Sequence, residues 1–177
     1  GNAEFIIGSV HSGVMLAAIP IASELKTIYF STGEATEATG AKGTRFSFRT
    51  GTDTYSIAAA SLPWCVENFG KKWTIIYADY AWGQSTNQES KHYIEKSGGK
   101  VLSSIPIPLD AKDFVPYLSQ IPGDSEVLLP AFIGSLSPQE QGEVMPLMLS
   151  YMQSNQGVGM GGASMGESVT PPAPAGV

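Results

Sequence analysis

The sequence predicts an α/β protein built on parallel sheets, and two observations carry that expectation. Over the first 130 residues or so, short β-rich runs alternate with amphipathic stretches of about 10–17 residues, the spacing of βαβ units. The clearest run, Trp73–Ala78 (WTIIYA), is apolar on both faces, as a central strand covered by helices on both sides requires.

Each element follows in order. Glu4–Ile7 reads as a strand. Ser12–Leu25 reads as a helix with apolar Val14, Leu16, Ala17, Ile19, Ile21 and Ala22, and Pro20 is expected to kink or shorten it. Thr27–Ser31 is a β-branched and aromatic strand, and Phe46–Arg49 a short alternating one. Asp53–Phe69 reads as a helix capped near Thr52, bent at Pro63 and closed by Gly70. After Trp73–Ala78 come a helix over Gln84–Lys96, ended by Gly98-Gly99, and a strand over Val101–Ile105. Asp110 is expected to cap a helix over Ala111–Gln120, and Glu126–Phe132 is a further strand.

Beyond Phe132 the alternation stops. Residues 133–177 hold five of the six Met, with many Gly and Gln, and end in TPPAPAGV. Val144–Met152 offers one short helix, with Pro146 confined to its first turn. From Gln153 onward the composition of Gly, Ser, Met and Pro buries too little apolar surface to offset its ordering entropy, so a flexible tail is expected. There is no internal repeat.

Charge and composition exclude several functions. Of the net charge of −6, none arises before Asp113: residues 1–112 hold 10 basic and 10 acidic side chains, whereas residues 113–177 hold 6 acidic and no basic ones. Without a basic patch to neutralise phosphates, nucleic-acid binding is not expected. No apolar run reaches the roughly 18 residues that span a bilayer. The single Cys65 forms no internal disulfide, and with only His11 and His92 beside it no metal site is expected. His11 reads as a loop residue rather than a catalytic base, Cys65 as a buried inert thiol, and His92 as solvated. The familiar nucleotide and hydrolase motifs are absent, and no cofactor is expected.

Ligands of open α/β sheets bind beyond the carboxyl ends of the strands, and three loops there carry polar groups. In Gly8–Ser12, Ser12 and nearby N–H groups stand at a helix N-terminus suited to a carboxylate, or Ser12 is simply a helix cap. In Ser31–Thr36, Gly33 lets a ligand approach the backbone and Thr36 offers a hydroxyl, or the segment is an ordinary polar turn. In Asp79–Ser85, Tyr80 and Trp82 offer flat amphipathic area to a ligand, or Trp82 anchors the loop on the core.

These pieces resemble, in this order, the type I periplasmic solute-binding proteins of ABC transporters, in the branched-chain amino acid, amide and urea group. The matching text is IIGSVHSG with the following A-x-P-I-A helix, YFSTGEATEATG, RFSFRTGTDTYS, KKWTIIYADYAWGQS, the GGKV strand start and the KDFVPYLSQI helix. The resemblance covers about residues 4–133. It implies two Rossmann-like lobes with parallel sheets, joined at a hinge and closing on a ligand, each incomplete here. Residues 1–44 would be part of the first lobe, 45–52 the hinge crossover, 53–133 part of the second lobe, and 134–177 a divergent, mostly flexible tail. Family members are longer, and this chain is expected to be a piece of one, beginning inside the first lobe.

By the same resemblance the ligand contacts are Ser12, then Gly33, Glu34, Ala35 and Thr36 through backbone and hydroxyl groups, and Trp82 closing from the second lobe with Tyr80 beside it. The implied function is non-enzymatic: binding an amino acid, amide or urea-like solute and delivering it to an ABC transporter permease, in the periplasm or another extracytoplasmic space. A ligand-sensing regulatory domain of the same fold, a non-functional fragment and an α/β enzyme are the alternatives.

Overall fold

The computed structural model describes residues 3–155. Two separate three-stranded sheets form, and every strand pair in them is parallel. The first sheet holds β1 (Phe5–Ile7), β2 (Ile28–Ser31) and β3 (Ser47–Arg49), in the order β1-β2-β3. Helix α1 (Ser12–Glu24) joins β1 to β2, and a 3₁₀ turn at Thr36–Ala38 lies between β2 and β3. The chain then passes through α2 (Thr54–Asn68) into the second sheet. That sheet holds β4 (Lys72–Ala78), β5 (Lys100–Ile107) and β6 (Val127–Ala131), with β4 in the middle. Helix α3 (Ala81–Lys96) joins β4 to β5, and α4 (Val115–Leu118) joins β5 to β6. A 3₁₀ turn at Ile133–Ser135 leads into α5 (Pro138–Asn155).

Side-chain alternation along β4 builds two cores from one strand. Trp73 and Ile75 pack with Ala58, Leu62 and Val66 of α2 and with Tyr93 and Ile94 of α3. Ile76 and Ala78 pack on the other face with Ile105 and Ile107 of β5, Phe114, Leu118 of α4, and Val144 and Met148 of α5. The first sheet is covered differently. Met15, Ile19 and Ala22 of α1 bury Tyr29, whose register partners are Ile6 and Ser47. On the opposite face Phe30 and Phe48 meet at 5.5 Å between ring centroids, and Phe5, Ile7 and Phe48 are exposed.

Several elements differ from the sequence expectations, for identifiable reasons. Helices α1, α2 and α5 continue through Pro20, Pro63 and Pro146. Each proline lies on the exposed side of its helix, where water can satisfy the carbonyl that has lost its N–H partner. Helix α5 is therefore 18 residues long rather than a short helix over Val144–Met152, and the segment expected to be mostly flexible from residue 134 is ordered as far as Asn155. Of the expected tail over 153–177, residues 156–177 lie outside the described residues.

Helix starts shift as well. Asp53, not a residue near Thr52, caps α2: its Oδ1 accepts the Ser56 N–H at 2.7 Å. Helix α3 begins at Ala81, three residues before the expected Gln84, so Trp82 and Gly83 occupy its first turn. A Cβ on Gly83 would lie 1.9 Å from the Ala78 carbonyl oxygen, so only glycine lets the helix start this close to the end of β4. The helix expected over Ala111–Gln120 contracts to Val115–Leu118. Asp110 does not cap it: Phe114 stands at the cap without a side-chain bond, Asp113 Oδ1 accepts the Val115 N–H at 3.0 Å from just outside the helix, and Pro122 disfavours a helical Ile121.

The burial of Met148 at 4% exposure makes α5 part of the second core. Met148→Ala is expected to cost about 2–4 kcal/mol, the usual range for truncating a buried methionine, in urea unfolding of the chain. A loss below 0.5 kcal/mol would mean that α5 is not packed on the sheet.

Candidate functional site

The site is built around the turn that follows β2. Residues 33–36 present four consecutive backbone N–H groups, and serine hydroxyls accept all four. Ser31 Oγ accepts from Gly33, and Ser12 Oγ accepts from both Glu34 and Ala35, each at 3.2 Å. Ser85 Oγ, on α3 of the other lobe, accepts from Thr36 at 3.0 Å. Thr54 at the start of α2 extends the cluster: its hydroxyl lies 2.8 Å from the Thr36 hydroxyl and 2.6 Å from the Ser85 hydroxyl. The Thr36 hydroxyl also accepts the Tyr55 N–H at 2.9 Å. Arg49 supports the same turn from behind, donating to the Ala35 carbonyl at 2.9 Å and pairing with Asp53 at 2.9 Å.

Beyond this turn lies a cleft of about 200 Å³ between the sheets, lined by Val10 and Glu34 from the first lobe and by Tyr80, Trp82, Gly134 and Ser135 from the second. Two contacts cross it. The Trp82 indole N–H donates to Glu34 Oε2 at 2.8 Å, and the His11 and Tyr80 rings meet at 4.7 Å between centroids. The Tyr80 and Trp82 rings are 6.0 Å apart.

The residues singled out in the sequence thus fall into three groups. Glu34, Tyr80 and Trp82 come together around the cleft. Thr36 joins the hydroxyl cluster between the lobes. Ser12, Gly33 and Ala35 lie buried behind the turn, Ser12 at 1% exposure. Ser12 is not the helix cap. His11 takes that place, its Nδ1 accepting the Gly13 and Val14 N–H groups at 3.1 and 3.4 Å, while the Ser12 hydroxyl turns inward to the 33–36 turn. The space beside Gly33 belongs to α1 rather than to an approaching ligand: a Cβ there would meet Met15 Sδ at 2.9 Å. Trp82 sits on a helix rather than in a loop.

Sequence reasoning missed Ser31, Thr54, Ser85 and Arg49, which hold the turn, and Val10, Gly134 and Ser135, which line the cleft. Serines and threonines carry no periodic signal, and their partners lie as much as 49 residues away. Gly134 and Ser135 fall where the strand–helix alternation had ended. Among the described residues no group of His, Cys, Asp and Glu is placed to hold a metal ion, and no helix is long and apolar enough to cross a membrane.

Two parallel three-stranded sheets lie on either side of this cleft, the chain passing from the first to the second between β3 and α2, and together they define a two-lobed α/β architecture. A family model described as periplasmic binding protein matches residues 1–128, and the chain belongs to that family, whose members bind solutes and are not enzymes. A periplasmic binding protein from Burkholderia mallei superposes with a TM-score of 0.74 at 24% identity, over 85% of this chain and 40% of its own. A solute-binding protein of an ABC transporter from R. palustris, in complex with benzoate, is 28% identical with a TM-score of 0.62, over 67% of this chain and 33% of its own. An ABC-type branched-chain amino acid transporter protein from Rhodopseudomonas palustris is 25% identical with a TM-score of 0.56, over 84% and 42%. The chain therefore spans less than half the length of these relatives. No curated protein matches it significantly in sequence.

Two outcomes follow from the supports of the turn. Ser12→Ala leaves two N–H groups without their acceptor in the interior and is expected to cost about 1–3 kcal/mol of stability by denaturant titration. A change under 0.5 kcal/mol would show that another acceptor replaces the hydroxyl. Asp53 supplies a pH dependence. Partial burial pushes its carboxyl up, but hydrogen bonds from Ser56 and the Arg49 charge outweigh burial and hold it below the ordinary value of about 3.9. The stabilisation is thus fully present above that value and disappears as pH falls through the lowered one. The melting-temperature gap between wild type and Asp53→Asn should be wide at pH 6 and shrink toward pH 3; a gap independent of pH would contradict the assignment.

Proposed function

We propose that the chain is the ligand-closing portion of a solute-binding protein that serves an ABC transporter permease outside the cytoplasm. Family membership supports the solute-binding role, and the single observation that carries it to this chain is the cleft bridged by Trp82 and Glu34. At about 200 Å³ the cleft lies below the roughly 300–1,000 Å³ of drug-sized sites and suits a small metabolite. Amino acids, amides and urea-like solutes fit that size. So do small aromatic acids, the class represented by the benzoate held in the R. palustris relative.

The mechanism is a shift between open and closed lobes. A ligand that touches Glu34 on one lobe and Tyr80 and Trp82 on the other has more contacts in the closed state and so favours it. Ser12, Gly33, Ala35 and Thr36 act one step back, by setting the position of the turn that presents Glu34. Trp82 closes the cleft from the second lobe with a flat indole suited to a small amphipathic solute, its one N–H being held by Glu34.

A thermal-shift screen of the 177-residue chain against amino acids, amides, urea and benzoates tests the reading. A true ligand is expected to raise the melting temperature in proportion to the logarithm of its concentration. Trp82→Ala should weaken its binding by about tenfold or more, the loss expected when a central aromatic contact is removed. No stabilising solute, or an unchanged affinity in Trp82→Ala, would reject the cleft as the binding site.

A further inference from the structure

We infer that the ligand of this cleft carries a cationic nitrogen group, an ammonium or amidinium, which the Glu34 side chain selects while it turns away simple carboxylates. The inference rests on the solute-binding reading above and names the charge class of that solute.

The first ground is what the cleft offers. Among the described residues Glu34 is its only charged lining residue. One carboxylate oxygen, Oε2, accepts the Trp82 indole N–H, and Oε1 accepts no protein hydrogen bond among the described residues. A partly buried carboxylate with one open oxygen gains most from a charged donor, because charge-assisted hydrogen bonds are the strong ones. The aromatic neighbours act in the same direction. Tyr80 and Trp82 line the cleft with Glu34, and aromatic rings attract a cation.

The second ground is what the cleft has used up. A carboxylate would need free N–H donors or a cation. The four amides of the 33–36 turn all go to serine hydroxyls, and the first amides of α1 go to His11 Nδ1. Arg49, the one guanidinium at this turn, lies behind it, bound to the Ala35 carbonyl and to Asp53. The remaining donors near the rim are neutral: the Tyr80 and Ser135 hydroxyls that line the cleft, and the first amides of α3, which has no side-chain cap. An anion entering this cleft meets the like charge of Glu34 with only neutral donors to offset it, which costs affinity.

Benzamidine and benzoate form a matched pair of equal shape and opposite charge, and isoamylamine and isovalerate form a second, aliphatic pair. Isothermal titration of the 177-residue chain with each is expected to show the cation of a pair binding at least about tenfold tighter than its anion, the worth of one charge-assisted hydrogen bond. Glu34→Gln keeps the shape and an acceptor for the Trp82 N–H but removes the charge. It should lose that preference, weakening the cation and relieving the anion, with an unchanged circular dichroism spectrum. Anions binding as tightly as cations in the wild type, or the same preference in a folded Glu34→Gln, would overturn the inference while leaving the cleft a solute site. If no solute of any charge bound, the solute-binding reading would fall with it. The wild-type comparison decides the point even if Glu34→Gln does not fold.

Discussion

The architecture of the site depends on one constraint: four adjacent backbone amides in a turn must find acceptors, because the turn belongs to no ladder or helix that would supply them. Serine is the side chain that meets this need in a tight space. Ser31 comes from the end of β2, Ser12 from the first turn of α1 and Ser85 from the first half of α3. Two of these belong to the first lobe and one to the second. The turn is thereby held by both lobes at once, and Glu34 faces Trp82 as a consequence. Gly33 contributes by omission, since α1 approaches so closely that a side chain would strike Met15.

The same bonds bear on motion. Opening the cleft must break the Thr36–Ser85, Thr54–Thr36 and Trp82–Glu34 contacts that cross from one element group to the other, whereas the Ser12 and Ser31 bonds travel with the first lobe. Each broken bond is exchanged for a bond to water, so its net worth is only about 0.5–1.5 kcal/mol. A handful of such contacts leaves open and closed forms within a few kcal/mol of each other. That is the range in which differential binding by a small ligand decides the population. A large apolar interface in the same place would have locked the lobes together, and the cleft-lining residues include few aliphatic side chains.

Much of the fold was legible because burial writes itself into the spacing of apolar residues. Trp73–Ala78 announces a central parallel strand, and it sits in the middle of its sheet. Helix limits were less legible. Pro20 was read as a kink or a shortening, Pro63 as a bend and Pro146 as a first-turn residue, but the rule assumes that the freed carbonyl stays dry. All three face solvent, so the helices continue. His11 was invisible as a cap because its side chain lies outside the short list of residues that usually cap. At the site, Glu34, Tyr80 and Trp82 were found through their order along the chain and their likeness to a known family. The residues that hold them in place were not, because the hydroxyl bonds that join Thr36 to Thr54 and Ser85 are distant in sequence and leave no pattern.

The backbone amides of the 33–36 turn are occupied in this structure. Once serines take those amides, the polar character of the cavity falls to side chains: the Glu34 carboxylate and the Tyr80 and Ser135 hydroxyls. The division of labour has a structural consequence. Ser12, Ser31 and Ser85 bind the backbone of the turn, so they hold its shape whatever side chain residue 34 carries. Position 34 can therefore set the charge of the cleft without disturbing the scaffold that presents it. Tyr80 and Trp82, held on the second lobe by the close approach of α3 to β4 at Gly83, provide a surface that accepts flat or aliphatic solutes alike. Charge selection and shape acceptance then reside on opposite lobes, and only a solute that satisfies both draws them together.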